Sequence, residues 1–162
     1  KQDCDLTLQE GLDCYYRNFP ETTEIMEDNK ESGTLLRDHD CTHVIFGLDT
    51  SIEQESILDT WVLWGSKFQW KYILKYQKLP EIQQLYKDLH KEFGIRGFLK
   101  VFWRLGGIKR KVIFRTFKMN KKWPFKMPAE YLSMKISDLR EEYGIKVLLP
   151  EEMEYIPIER VN

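Results

Sequence analysis

Leu35-Leu-Arg-Asp-His-Asp-Cys-Thr-His-Val-Ile-Phe-Gly-Leu-Asp-Thr-Ser-Ile-Glu-Gln-Glu55 is the stretch on which the reading of this chain turns. His39 and His43, two of the three histidines, stand four residues apart. On a helix that spacing places them on one face, one turn from each other. Asp40 follows His39, Gly47 is a suitable helix stop, and Asp49, Thr50 or Ser51 can cap a second helix. Glu55 then falls in the first turn of that second helix, where the Gly47–Ser51 reversal can return it towards the histidines. The stretch reads as two helices joined by a short turn.

Working outward, the rest of the chain is also helical in pattern. Residues 3–19 form a helix that Asp3 or Asp5 can cap, with Leu8, Leu12 and Tyr15 on its apolar side. Pro20 opens a short acidic helix to residue 31, Ser32-Gly33 breaks it, and Thr34 caps the motif helix. The helix after the motif is expected over 51–77, with Ile57, Trp61, Trp64, Phe68 and Tyr72 recurring at spacings of three and four. Its apolar residues spread all round, as in a buried central element, and Trp61, Trp64 and Phe68 can equally line a hydrophobic ligand cavity. A further helix spans 81–93, with His90 as a surface residue near its end. Residues 98–105 read as a short amphipathic helix, and 108–117 as helix or strand. A loop covers 123–128, a last helix runs over 129–143 to Gly144, and the tail packs back in extended form. The expected fold is all-α: one mainly helical domain over 1–162, with six or seven helices and an extended C-terminal tail.

Charge is uneven. The net charge of −1 gives no argument for nucleic acid, and none is expected as a partner. Residues 1–38 are rich in Asp and Glu, whereas 93–129 contain neither. The basic span includes Lys109, Arg110 and Lys111 and interleaves its cations with Phe and Trp. That composition suits a membrane-touching or partner-binding surface, and suits a core helix with snorkelling Lys and Arg as well. Cys4, Cys14 and Cys41 are odd in number and form no C-x-x-C pair, so a disulfide framework is not expected. No apolar run approaches transmembrane length, and no targeting segment is recognised.

His39, Asp40, His43 and Glu55 together make a candidate divalent-metal site. Two imidazoles with carboxylates suit Zn(II) or Fe(II) better than Mg(II) or Mn(II). The competing reading is a solvated helix face on which Arg37, Asp38 and Asp40 pair locally, and spacing alone leaves both open. An HD-type phosphohydrolase needs a histidine upstream of His39, and there is none. A zincin needs Glu after the first histidine, and Asp40 stands there.

His39-Asp40-x-x-His43, eleven intervening residues and Glu55 resemble the HDxxHx11E signature of the ubiquinone (coenzyme Q) biosynthesis protein 4 family. Arg37-Asp38 resembles that family's lead-in, and Asp138-Leu-Arg-Glu-Glu-Tyr-Gly-Ile145 its C-terminal region. The likeness spans about residues 34–145, in the manner of a divergent, bacterial-type member. Gln54 departs from it where the family commonly has Gly. The resemblance implies an all-α fold and a metal ligated by His39, Asp40, His43 and Glu55. It implies a polyprenyl quinone precursor as ligand, peripheral attachment to a membrane, and a homodimer or membership of a quinone biosynthetic complex. The membrane would be met from the cytoplasmic face in a bacterium, or from the matrix side of the mitochondrial inner membrane in a eukaryote. The implied role is either oxidative decarboxylation at C1 of the precursor ring or a non-catalytic, lipid-binding scaffold.

Overall fold

The computed structural model describes residues 2–20, 30–67 and 80–154. Among them are six α-helices and no strand: α1 Leu8–Asn18, α2 Lys30–Phe46, α3 Ile52–Gly65, α4 Pro80–Arg104, α5 Gly106–Thr116 and α6 Ile136–Tyr143. Short 3-10 turns occupy Ala129–Ser133 and Pro150–Glu152. The all-α expectation holds.

The cap of α1 is Thr7, not Asp3 or Asp5. Its hydroxyl accepts from the Glu10 N–H at 3.2 Å while the Glu10 carboxylate accepts from the Thr7 N–H at 2.8 Å. This reciprocal pair satisfies two amides that the helix start would leave bare. The motif helix begins earlier than expected. Ser32, Gly33 and Thr34 lie inside α2, so no break falls there. A single internal glycine costs only about 1 kcal/mol of helix propensity, which packing of the following turns readily offsets. The expected acidic helix falls mostly on 21–29, outside the described residues. Gly47 ends α2 at φ 71°, a conformation that favours glycine.

α3 is shorter than the apolar pattern suggests. Ser66 is extended (φ −113°, ψ 164°), and the Lys67 N–H donates to the Trp123 carbonyl at 2.7 Å. The loop partner, not a local breaker, draws the chain off its helix here. Phe68 and the rest of 68–79 lie outside the described residues. The expected helices 81–93 and 98–105 both fall within α4, which the non-helical backbone of Gly94 (φ 59°, ψ 172°) divides between them. Residues 108–117, open between helix and strand, belong to helix α5.

The expected helix 129–143 is divided. Met134 and Lys135 are extended, the Leu8 N–H donates to the Met134 carbonyl, and the Ile136 N–H donates to the Leu6 carbonyl, each at 2.9 Å. The approach to α1 thus claims the backbone groups a continuous helix would use. Of the expected extended tail, residues 145–154 are described: Ile145, Val147 and Leu148 are buried, and Pro150–Glu152 turn in a 3-10 helix rather than staying extended.

One core joins these elements. α1 packs on α2, α2 on α3 and α6, and α3 on α4 and α5. Phe46 at the end of α2 stacks on Trp61 of α3 (4.8 Å, 14°), which is fully buried. The buried guanidinium of Arg140 fixes the end of α2 to α6. It donates to the carbonyls of Ile45 (2.8 Å), Val44 (3.0 Å) and Gln2 (3.0 Å). Burial pulls its pKa down to about 10, which leaves it charged at neutral pH, where it suits the negative end of the helix. The α2–α3 junction is therefore held on two sides, by an aromatic stack and a cation.

Candidate metal centre

The last two turns of α2 carry the histidines inward. The rings of His39 and His43 lie 5.0 Å apart at 70°. His39, Asp40 and His43 each offer one ligand atom, and these atoms all lie within 4.8 Å of one another. Glu55 comes in from α3 and meets the group through His43, with Oε1 3.1 Å from His43 Nε2. Three of the four residues expected at the site thus form one group on α2, and Glu55 of α3 reaches it through His43. Burial counts against a solvated face, since His43 is fully buried and Asp40 and Asp38 are buried too, but the local pairing of that reading is present, with Arg37 3.2 Å from Asp38 and His39 3.5 Å from Asp40.

Polar partners hold the group in place. Tyr16 of α1 donates to Asp40 Oδ2 at 3.2 Å, and Asp40 Oδ1 lies 3.5 Å from His39 Nδ1. The Tyr15 ring lies 5.2 Å from that of His43. Neither ring nitrogen of His43 has a well-aligned hydrogen bond among the described residues, although both are buried. A buried nitrogen without such a partner carries a desolvation penalty of about 1–3 kcal/mol, which a bound cation would relieve. Glu55 is partly exposed, so the group has an open side.

Charge follows geometry. Burial disfavours the charged form of His39, but Asp40, Glu55 and Asp59 outweigh it and raise its pKa. Burial also works against the Glu55 carboxylate, and the two imidazoles overcome it and lower its pKa. Desolvation, then the Glu55 charge, push Asp59 up. Burial of the Tyr16 hydroxyl, then the Asp40 charge, raise its pKa, so it stays a donor. Burial pushes the Cys41 thiol up to about 12, and Cys41 belongs to the core, away from the histidine face.

Two contributors escape the sequence reading. Asp59 stands four residues after Glu55, on the same face of α3, so the spacing that pairs the histidines also points to it. Tyr16 carries no such signal, because its partner is 24 residues away. Two of the three expected lipid-contact residues are described. Trp61 is in the core, Trp64 is exposed with its ring 6.1 Å from that of Phe117, and Phe68 lies outside the described residues. Lys109, Arg110 and Lys111 lie on α5. Lys109 Nζ sits 4.9 Å from the Phe102 ring centre, Arg110 is exposed, and Lys111 lies 3.7 Å from Glu152.

The donor set fits a divalent ion: two imidazoles, one close carboxylate and a second within reach. Compared with known proteins, the chain matches no protein-family model, no curated protein and no solved structure.

Proposed function

We propose that this protein holds a divalent metal, Zn or Fe, through His39, Asp40, His43 and Glu55, and acts there on a polyprenylated aromatic carboxylate in ubiquinone or prenylquinone biosynthesis. The observation that carries the metal reading is the buried convergence of His39, Asp40 and His43, with Glu55 arriving from a second helix. The ligand class rests on the resemblance of the HDxxHx11E spacing. A bound divalent ion supplies Lewis-acid attraction for the ring carboxylate. The chain's own groups set the rest: Tyr16 orients Asp40, and Glu55 lies against His43. In the net reaction the carboxylated ring, dioxygen and water give the hydroxylated ring, CO2 and hydrogen peroxide: the ring carbon–carboxylate bond breaks, a ring carbon–oxygen bond forms, and the two electrons and two protons released reduce dioxygen to the peroxide.

Incubating the metal-loaded chain with the prenylated carboxylated precursor tests this. The expected result is a decarboxylated, hydroxylated product from the wild type and none from His43→Ala. No product from the wild type, or equal product from the variant, contradicts catalysis. If the wild type binds the precursor without turning it over, the second reading takes its place: a lipid-binding scaffold for a quinone biosynthetic complex. What favours catalysis is the ligand set, since closed structural zinc sites are usually built from Cys and His.

A further inference from the structure

Acids dominate the open side of the metal centre. Asp40 and Glu55 belong to the centre, and Asp59 stands one turn beyond Glu55 on the same face of α3. Asp59 is exposed to water, yet desolvation is the largest influence on its carboxyl. Glu55 is also partly exposed while burial works against its charge. A carboxylate that water reaches while protein crowds its other sides belongs to the wall of a recess, not to a convex surface. Glu55 and Asp59 therefore line one recessed rim. An anionic ligand meets repulsion there unless the rim also carries a cation.

Helix α5 supplies that cation. It packs against α3, and the charges of Lys109 and Asp59 act on one another. Among the described residues the two form no close ion pair, so a gap separates the ammonium from the carboxylate. Lys111 and Arg115, further along α5, are instead drawn to Glu152, at 3.7 Å and 2.8 Å. The Lys109 ammonium rests against Phe102 of α4, 4.9 Å from the ring centre, and burial lowers its pKa. It is a half-buried cation with an aromatic face on one side and donors that no close carboxylate occupies.

That combination matches one ligand chemistry. A carboxylate accepts from an ammonium more strongly than a neutral oxygen does. An aromatic ring attached to that carboxylate finds Phe102, which is 61% exposed, beside the ammonium. A neutral aromatic uses the ring but not the cation. A phosphate ester carries more negative charge and meets stronger repulsion from Glu55 and Asp59. An aromatic acid with a single charge uses every feature of the rim.

We infer that Lys109 is the specificity-determining residue of the centre: its ammonium takes the carboxylate of an aromatic acid entering on the open side of the metal site, with Phe102 beside the ring. The flexible four-carbon stem lets the ammonium leave Phe102 for the ligand. This rests on the reading of the centre as one that draws a ring carboxylate to a divalent ion. It adds the side chain that selects the acid over its uncharged analogues.

Isothermal titration calorimetry of the zinc-loaded whole chain tests it, with benzoate as probe and benzamide as its uncharged counterpart. Lys109→Met should weaken benzoate binding about tenfold, the worth of one charge-assisted hydrogen bond, and leave benzamide binding, zinc content and circular dichroism unchanged. Lys109→Arg keeps the charge and should stay within about threefold of the wild type. Lys111→Met, on the same helix but paired with Glu152, should change nothing. A zinc-loaded wild type that ignores benzoate, or a zinc-loaded Lys109→Met that binds it as the wild type does, overturns this inference alone. Equal losses in Lys109→Met and Lys111→Met overturn it too, as a general effect of surface charge. A chain that takes up no zinc removes the metal reading and this inference together, and metal analysis of the same sample identifies that case. Benzoate binding that depends on Lys109, without turnover of the prenylated precursor, keeps the inference and removes only the catalytic reading.

Discussion

Tyr16 shows how much of the centre depends on groups that do not bind the metal themselves. Its hydroxyl gives Asp40 one hydrogen bond, and Asp40 stands beside His39. Tyr16→Phe removes that bond at little cost in volume. Metal affinity should fall about tenfold while the melting temperature barely moves, because outer partners of this kind tune affinity by about 10–100-fold. Competition titration with a chelating dye measures it, and unchanged affinity would remove Tyr16 from the account. The metal-free chain also has a defined pH response. The pKa of His39 is raised from 6.5, so its contribution is full below 6.5 and fades as pH rises through the folded value. The pKa of Glu55 is lowered from 4.5, so its contribution is full above 4.5 and fades as pH falls through the folded value. Between 4.5 and 6.5 both contribute fully. Thermal melts should show the largest stability gap between wild type and His39→Ala in that window, and a gap that widens above 6.5 would contradict the pairing. At this scale the histidines, Asp40 and Glu55 were legible because helical spacing is a local property. Asp59 was equally legible by the same rule, as the residue one turn beyond Glu55. Tyr16 was not, since the packing of α1 on α2 brings it to Asp40.

At the scale of elements, the joint between α2 and α3 governs the centre, because Glu55 and the histidines come from opposite sides of it. Arg140 holds that joint from α6 through the α2 carbonyls of Ile45 and Val44, and takes in that of Gln2 as well. Arg140→Met keeps much of the apolar stem but leaves those carbonyls without their charged donor. Urea denaturation should show a loss of roughly 2–4 kcal/mol, and metal affinity should drop with it. A change within about 0.5 kcal/mol would mean that the end of α2 is secured some other way. Element ends were the hardest features to read. The start of α2 ran through Ser32-Gly33 because propensity is a weak local term. The end of α3 at Ser66 and the division before α6 follow from backbone bonds to Trp123 and Leu6, which no local pattern carries.

For the whole molecule, the tryptophans separate core from surface. Trp61 is fully buried on Phe46, whereas Trp64 is exposed near Phe117. Trp61→Ala should cost about 3–5 kcal/mol of unfolding free energy, the usual range for emptying such a core site. Trp64→Ala should stay within about 1 kcal/mol. Denaturation of both variants checks the division, and a reversed order would contradict it. The all-α architecture was legible in the repeated three-and-four spacing of apolar residues. In α4 the burial of Val101 and the exposure of Leu99, Phe102 and Trp103 were not legible, because sequence alone does not tell which of two apolar stripes meets the core. The central claim is that His39, Asp40, His43 and Glu55 hold a divalent ion, and metal analysis of the purified chain tests it most directly. Inductively coupled plasma mass spectrometry should find close to one Zn or Fe per wild-type chain and little in His39→Ala or Glu55→Gln with the fold intact. A wild type without metal after supplementation, or variants that keep it, would contradict the claim.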